Sequence, residues 1–133
     1  MRKKKFELTK GEESLMDLFW KNSKPLTSME ICELTDEFND SYVHRLLTSL
    51  EKKKVLEISG LVKSGKQYAR QFVPTLSREE YGALVMQQLG INTEKALAGV
   101  AVALVQHSSD NNFEDKETLI KELENIVKEL KKE

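Results

Sequence analysis

The sequence predicts a mainly α-helical chain with a small β-wing: an N-terminal winged helix-turn-helix followed by a C-terminal three-helix dimerisation domain. Two observations carry this. Residues 26–74 run without spare loop as an amphipathic segment, a short polar break, a second amphipathic segment and an alternating hairpin. Residues 76–132 then hold three more helical stretches, the middle one apolar nearly all round. The first order presents one helix to a DNA groove and a hairpin to the backbone beside it. The expected domains are 1–75, for DNA, and 76–133, for dimerisation.

The first helix is expected over residues 10–22, because Leu15, Leu18 and Phe19 fall at i, i+3 and i+4, with Met16 and Trp20 widening the stripe. Thr9 is the N-cap, and Glu12 three residues on completes a capping-box spacing. Pro25 ends the linker. Met29, Ile31 and Leu34 carry the second helix within residues 26–34, with Thr27 or Ser28 as its cap. After the break at residues 36–40, Asp40 or Ser41 caps a third helix over 41–54, whose inward side is Val43, Leu46, Leu47 and Leu50.

Residues 55–62 and 67–74 are the two wing strands. In the second, Tyr68, Arg70 and Phe72 share one face, and Ala69, Gln71 and Val73 the other. The intervening stretch 60–66 has two glycines, which permit a turn, and two lysines, which suit a phosphate backbone.

Ser77 caps the fourth helix, with Glu79 and Glu80 near the positive end of its dipole. It carries Tyr81, Leu84, Val85 and Leu89, and Gly90 stops it. Asn92 or Thr93 starts the Ala-rich fifth helix. Residues 108–112 are a polar break. The sixth helix, about 114–132, has a clean stripe of Leu119, Ile120, Leu123, Ile126, Val127 and Leu130.

Bulk properties narrow the function. Of 133 residues, 39% are apolar and 32% charged, which fits small cores with exposed helical faces. The longest apolar run, residues 96–105, is too short for a bilayer, so no membrane insertion is expected. The basic start, residues 1–5, precedes no signal-peptide apolar region, and the expected location is the cytoplasm. Cys32 is the single cysteine, so there is no internal disulfide and no Cys pair for zinc or copper; it reads as a packed thiol. Net charge is −1, but residues 1–74 hold 14 Lys/Arg against 11 Asp/Glu, and residues 75–133 hold 7 against 11. A basic front and an acidic back fit a DNA-facing domain joined to a domain with another task.

The candidate DNA-binding residues follow from helical rotation. Opposite the buried side of the third helix lie Ser41, Arg45, Thr48 and Lys52, flanked by Tyr42, His44 and Ser49. Arg45 has the fork to pair with a guanine edge, and Thr48 can meet a phosphate or a thymine methyl. Lys52 and Lys53 at the helix end, with Lys54 beside them, and Lys63 and Lys66 in the wing suit phosphates. The three C-terminal helices need more apolar cover than roughly 55 residues supply. A symmetric dimer would provide it through Leu84, Leu97, Val100, Leu104, Leu119, Leu123, Ile126 and Leu130, and would set two readers on a palindromic DNA site. The bland alternative folds these helices back onto the winged domain. His44 and His107 are isolated, no Ser/His/Asp or Cys/His set stands out, and no glycine loop cradles a phosphate, so neither catalysis, nor a cofactor, nor a metal is expected.

These residues resemble the penicillinase-repressor family (BlaI/MecI/CopY type). Leu8-Thr9, Glu12, Met16 and Trp20 look like its first-helix signature, the run from Leu46 to Lys53 is similar to its recognition-helix end, and Phe72-Val73-Pro74 followed by Ser77 to Tyr81 looks like its exit from the wing. The resemblance implies a homodimeric repressor bound to a double-stranded DNA operator. In antibiotic-resistance members it also implies a membrane sensor protease pathway that ends in cleavage of the repressor. That cut falls at an Asn-Phe bond. This chain contains Asn112-Phe113, although alignment of the final helices puts the family's bond earlier, near residues 105–107. Glu13, Tyr42 and Ser49 depart from the family pattern, the stretch 60–66 looks longer than usual, and the tail lacks the Cys-x-Cys pairs of copper sensors.

Two other readings compete. A MarR-like ligand-responsive regulator draws its dimer helices from both chain ends, and here little precedes the first helix. A winged-helix protein-interaction module would present an apolar or acidic third helix, which Arg45 and the lysines at 52–54 oppose.

Overall fold

The computed structural model describes residues 6–106 and 116–132. The elements run α1 (Lys10–Asn22), α2 (Ser28–Leu34), α3 (Asp40–Lys52), β1 (Leu56–Ser64), β2 (Gln67–Pro74), α4 (Arg78–Gln88), α5 (Glu94–Gln106) and α6 (Lys116–Lys131). The architecture is mainly helical with one small antiparallel sheet, the winged-helix class expected from the sequence.

Local chemistry sets the helix starts. Thr9, Thr27 and Ser77 each accept from the backbone N–H three residues on, while Glu12, Glu30 and Glu80 reach back to the cap's own N–H, giving three capping boxes. The cap of α3 is Asn39, whose Oδ1 accepts from Tyr42 N at 2.8 Å; Asp40 and Ser41, the expected caps, are instead the first two helical residues. At its other end α3 closes in a Schellman motif. Lys54 adopts φ 65°, its N–H bonds to Glu51 O, and the Val55 N–H bonds to Leu50 O at 3.1 Å. Leu50 and Val55, brought together by that closure, are both buried.

The core of the winged domain joins Leu15, Met16 and Phe19 of α1, Ile31 of α2, the four expected residues of α3, and Leu26, Val55, Leu56 and Phe72. Each such side chain contributes about 1.5–3 kcal/mol on burial. The second helix departs from expectation. It buries Ile31 alone, while Met29 and Leu34 are 58% and 47% exposed. Thr27 and Ile31, one turn apart, form its inward line, and Leu34 is the last helical residue, where the chain leaves the helix through an extended Thr35.

The wing also differs from its sequence reading. Residues 60–66 are not a long loop: β1 continues to Ser64, which pairs with Gln67, leaving a two-residue turn of Gly65 and Lys66. Gly65 has φ 64°, the glycine-first pattern of a type II′ hairpin. Gly60 lies inside β1 beside a bulge at Ser59, where the register shifts between Ile58 and Gly60. Leu26 adds a one-residue third rung, its N–H and C=O exchanging bonds with Phe72 at 3.1 and 2.8 Å.

The chain divides into two compact units, residues 1–89 and 90–133. The helix α4, expected to belong to the dimerisation domain, lies in the first. Trp20 Nε1 donates to Leu76 O at 3.0 Å, Arg78 pairs with Asp17 at 2.7 Å, and Tyr81 donates to Glu13 at 2.5 Å. Gln88 exchanges two hydrogen bonds with the Phe6 backbone, at 2.6 and 2.9 Å. In the second unit, α5 and α6 bury no residue.

Candidate nucleic-acid interface

The rotation argued from the sequence is the one α3 adopts. Val43, Leu46, Leu47 and Leu50 are buried, and Ser41, His44, Arg45, Thr48 and Lys52 are exposed. Thr48 Oγ1 donates to the His44 carbonyl at 2.9 Å. That occupies the hydroxyl proton and leaves the oxygen as an acceptor, so the group is not placed to donate to a phosphate.

Tyr42 is half-buried and works as a prop. Its ring meets Phe38 edge-on at 5.6 Å, its hydroxyl lies over Gly11 of α1, and the Arg45 guanidinium sits 5.4 Å from its centroid. The phenol face thus supports the Arg45 guanidinium on the exposed side of α3.

Lys53 is not on the outward face. Its ammonium lies 2.6 Å from Glu12 Oε1 and donates to the Glu7 carbonyl at 2.9 Å. Glu12, 2% exposed, also accepts from Ser49 Oγ at 2.6 Å and from Thr9 N at 2.8 Å. Burial pushes the Glu12 pKa up, but the bonds from Lys53, Ser49 and Thr9 outweigh it and hold the carboxyl below its ordinary value.

Lys63 and Lys66 are exposed on the wing, Lys66 in the turn itself. Sequence reasoning gave no DNA role to Arg70 and Tyr68. Both line a groove between the wing and α3, with His44 and Thr48 on the opposite wall. The signal was available: Phe72 anchors the core, so its face-mates Arg70 and Tyr68 must continue along the side that overlooks α3. No described residue forms an ion pair with Arg70, Lys63 or Lys66.

Cys32 donates to Asp40 Oδ1 at 3.1 Å, and that bond, with burial and the Asp40 charge, raises its pKa. Such a thiol is a poor nucleophile. No group of three His, Cys, Asp or Glu among the described residues is placed to hold a metal ion.

An exposed helix of mixed polar and cationic groups, beside a cationic hairpin, is the geometry of a DNA reader. The sequence model of the family described as Penicillinase repressor matches residues 8–129. The chain belongs to the penicillinase repressor family. The match spans the winged unit and both C-terminal helices, so the resemblance drawn from residues 8–81 extends along the chain. As a penicillinase repressor the protein is a DNA-binding transcriptional regulator and not an enzyme. No curated protein matches the chain. Among the described residues of this repressor, no helix is long and apolar enough to cross a membrane.

The remaining sequence-derived residues concern assembly. Leu84 is half-buried on α4. On α5, Leu97 and Leu104 are 61% and 45% exposed and Val100 is half-buried. On α6, Leu123, Ile126 and Leu130 are exposed and Leu119 is half-buried. Asn112 and Phe113 lie outside the described residues.

Proposed function

We propose that the protein is a cytoplasmic homodimeric repressor that occupies a palindromic operator and blocks the promoter beneath it. α3 enters the major groove with Arg45 and Thr48 toward base edges. Lys52, Lys63, Lys66 and Arg70 neutralise phosphates on either side of the groove that separates α3 from the wing. The functional division follows residues 1–75 for reading and 76–133 for pairing, with α4 held against the reader.

The observation that carries the reading is the pairing of two exposures in one chain. A cationic polar face on α3 adjoins a cationic wing that has no ion pair among the described residues, and α6 opens Ile120, Leu123, Ile126, Val127 and Leu130 to water along sixteen residues. A stripe of that length is stable when another apolar surface covers it. A second copy supplies the same stripe by symmetry and presents two α3 helices to two half-sites. Release of the operator is assigned to a proteolytic pathway begun by a membrane sensor, with Asn112-Phe113, between α5 and α6 in sequence, as the candidate bond. A cut there would detach the α6 stripe from the rest of the chain.

Fluorescence anisotropy with DNA from upstream of the protein's own gene, titrated at several salt concentrations against a scrambled duplex, tests the reading. Tight, salt-sensitive binding that favours the native sequence is expected. Equal weak binding to both duplexes would remove the operator from the argument.

A further inference from the structure

The three capping boxes are alike in backbone terms and unlike in surroundings. Glu80 is exposed and Glu30 half-buried, and neither receives a hydrogen bond from another described element. Glu12 is buried to 2% exposure and draws Ser49 and Lys53 of the α3 end onto its two oxygens. A capping box needs one carboxylate bond, to the cap N–H; the Thr9 N bond on Oε1 meets that need. The contacts to α3 are additional.

We infer that Glu12 is a positioning residue for DNA binding: it withholds the Lys53 ammonium from the DNA backbone and pins the last turns of α3 to the first turn of α1. The inference rests on the reading of the protein as a DNA binder. Lys53 stands between Lys52 and Lys54, both exposed, and it alone of the three is turned inward. Moving it to a phosphate would strand a buried carboxylate without its countercharge, a loss that one contact in a solvated groove does not repay. Glu12 therefore fixes which cations of the helix end are free to meet DNA. Through Ser49 and Lys53, four residues apart, it grips one side of α3 over a full turn.

The test compares wild type, Glu12→Gln and Glu12→Gln/Lys53→Gln by salt titration of binding to a scrambled duplex, with thermal unfolding of each. Glutamine keeps the shape of Glu12 and an acceptor for Thr9 while removing the charge that holds Lys53. The Glu12→Gln variant is expected to bind with a salt slope steeper by about one, the signature of one added phosphate contact. The double variant returns to the wild-type slope. A Glu12→Gln slope equal to or shallower than wild type overturns the proposal. So does a double variant shallower than wild type by about one, which would place Lys53 on DNA from the start. That second comparison stands even if Glu12→Gln alone fails to fold. Absence of salt-dependent DNA binding by the wild-type protein would overturn the functional reading and this proposal together, whereas normal wild-type binding with an unchanged Glu12→Gln slope overturns this proposal alone.

Discussion

The Tyr42 hydroxyl occupies the space that a Cβ on Gly11 would fill, with the Tyr42 Cζ 3.2 Å from the same point. Gly11 and Glu12, adjacent on α1, therefore touch opposite ends of α3: one receives Tyr42 at its start, the other Ser49 and Lys53 at its end.

Gly11→Ala should force Tyr42 outward and loosen its contact with Arg45. The helix gains up to about 1 kcal/mol in propensity from the alanine, and overpacking costs about 1–3 kcal/mol. A net loss of roughly 1 kcal/mol in urea unfolding is expected. Gly11→Ala/Tyr42→Phe, which removes the overlapping oxygen, should recover most of it; a double variant no more stable than the single would show that the overlap is not the cause.

Arg45→Ala should weaken operator binding by about 1–3 kcal/mol and relax base preference at one position. Lys66→Ala and Arg70→Ala should instead weaken native and scrambled DNA alike, each lowering the salt slope by about one. Binding isotherms at three salt concentrations separate the two behaviours. A sequence-selective loss in Arg70→Ala would move that residue from backbone to base contact.

Acid sensitivity should trace to Glu12. Its folded pKa lies below the unfolded one, so the unfolded chain binds the extra proton first as pH drops. The stabilisation is fully present above the ordinary glutamate value, about 4.3, and is lost as pH falls through the lower folded value. Urea midpoints between pH 6 and pH 3, on the order of the range in which carboxylates titrate, should fall less steeply in Glu12→Gln than in wild type. Parallel acid limbs would assign the loss elsewhere, with Asp17, held low by Lys21 and Arg78 against the opposing effect of burial, the next group to test.

The proposed pairing through α6 predicts that Leu123→Glu sediments as a monomer where the wild-type chain sediments as a dimer. Leu123 lies mid-stripe on α6 and is 44% exposed in the single chain, so the charge is tolerated in the monomer and buried only on pairing. A persistent dimer would take α6 out of the interface.

What the sequence revealed is what short-range chemistry decides. The bounds of α1 and the inward side of α3 follow from a capping box and from apolar spacing, both contained within a few residues. Asn39 and Asp40 are both competent caps side by side, and only the finished turn chooses Asn39. Gly60 signals a turn or a bulge equally well, and its pairing with Gln71 makes it part of a strand. Lys53 read as a phosphate cation because its partner, Glu12, is 41 residues away in sequence. The shared face of Tyr68, Arg70 and Phe72 is legible in the strand alternation, whereas the α3 wall opposite it is set by tertiary packing of the wing.

The ties between Trp20 and Leu76, Asp17 and Arg78, Glu13 and Tyr81, and Phe6 and Gln88 run the whole length of α4. They make that helix a stiff handle, about 16 Å long at 1.5 Å per residue, welded to the part that grips DNA. A handle of this kind has no freedom to turn apart from the reader: whatever orients α4 orients the winged unit with it.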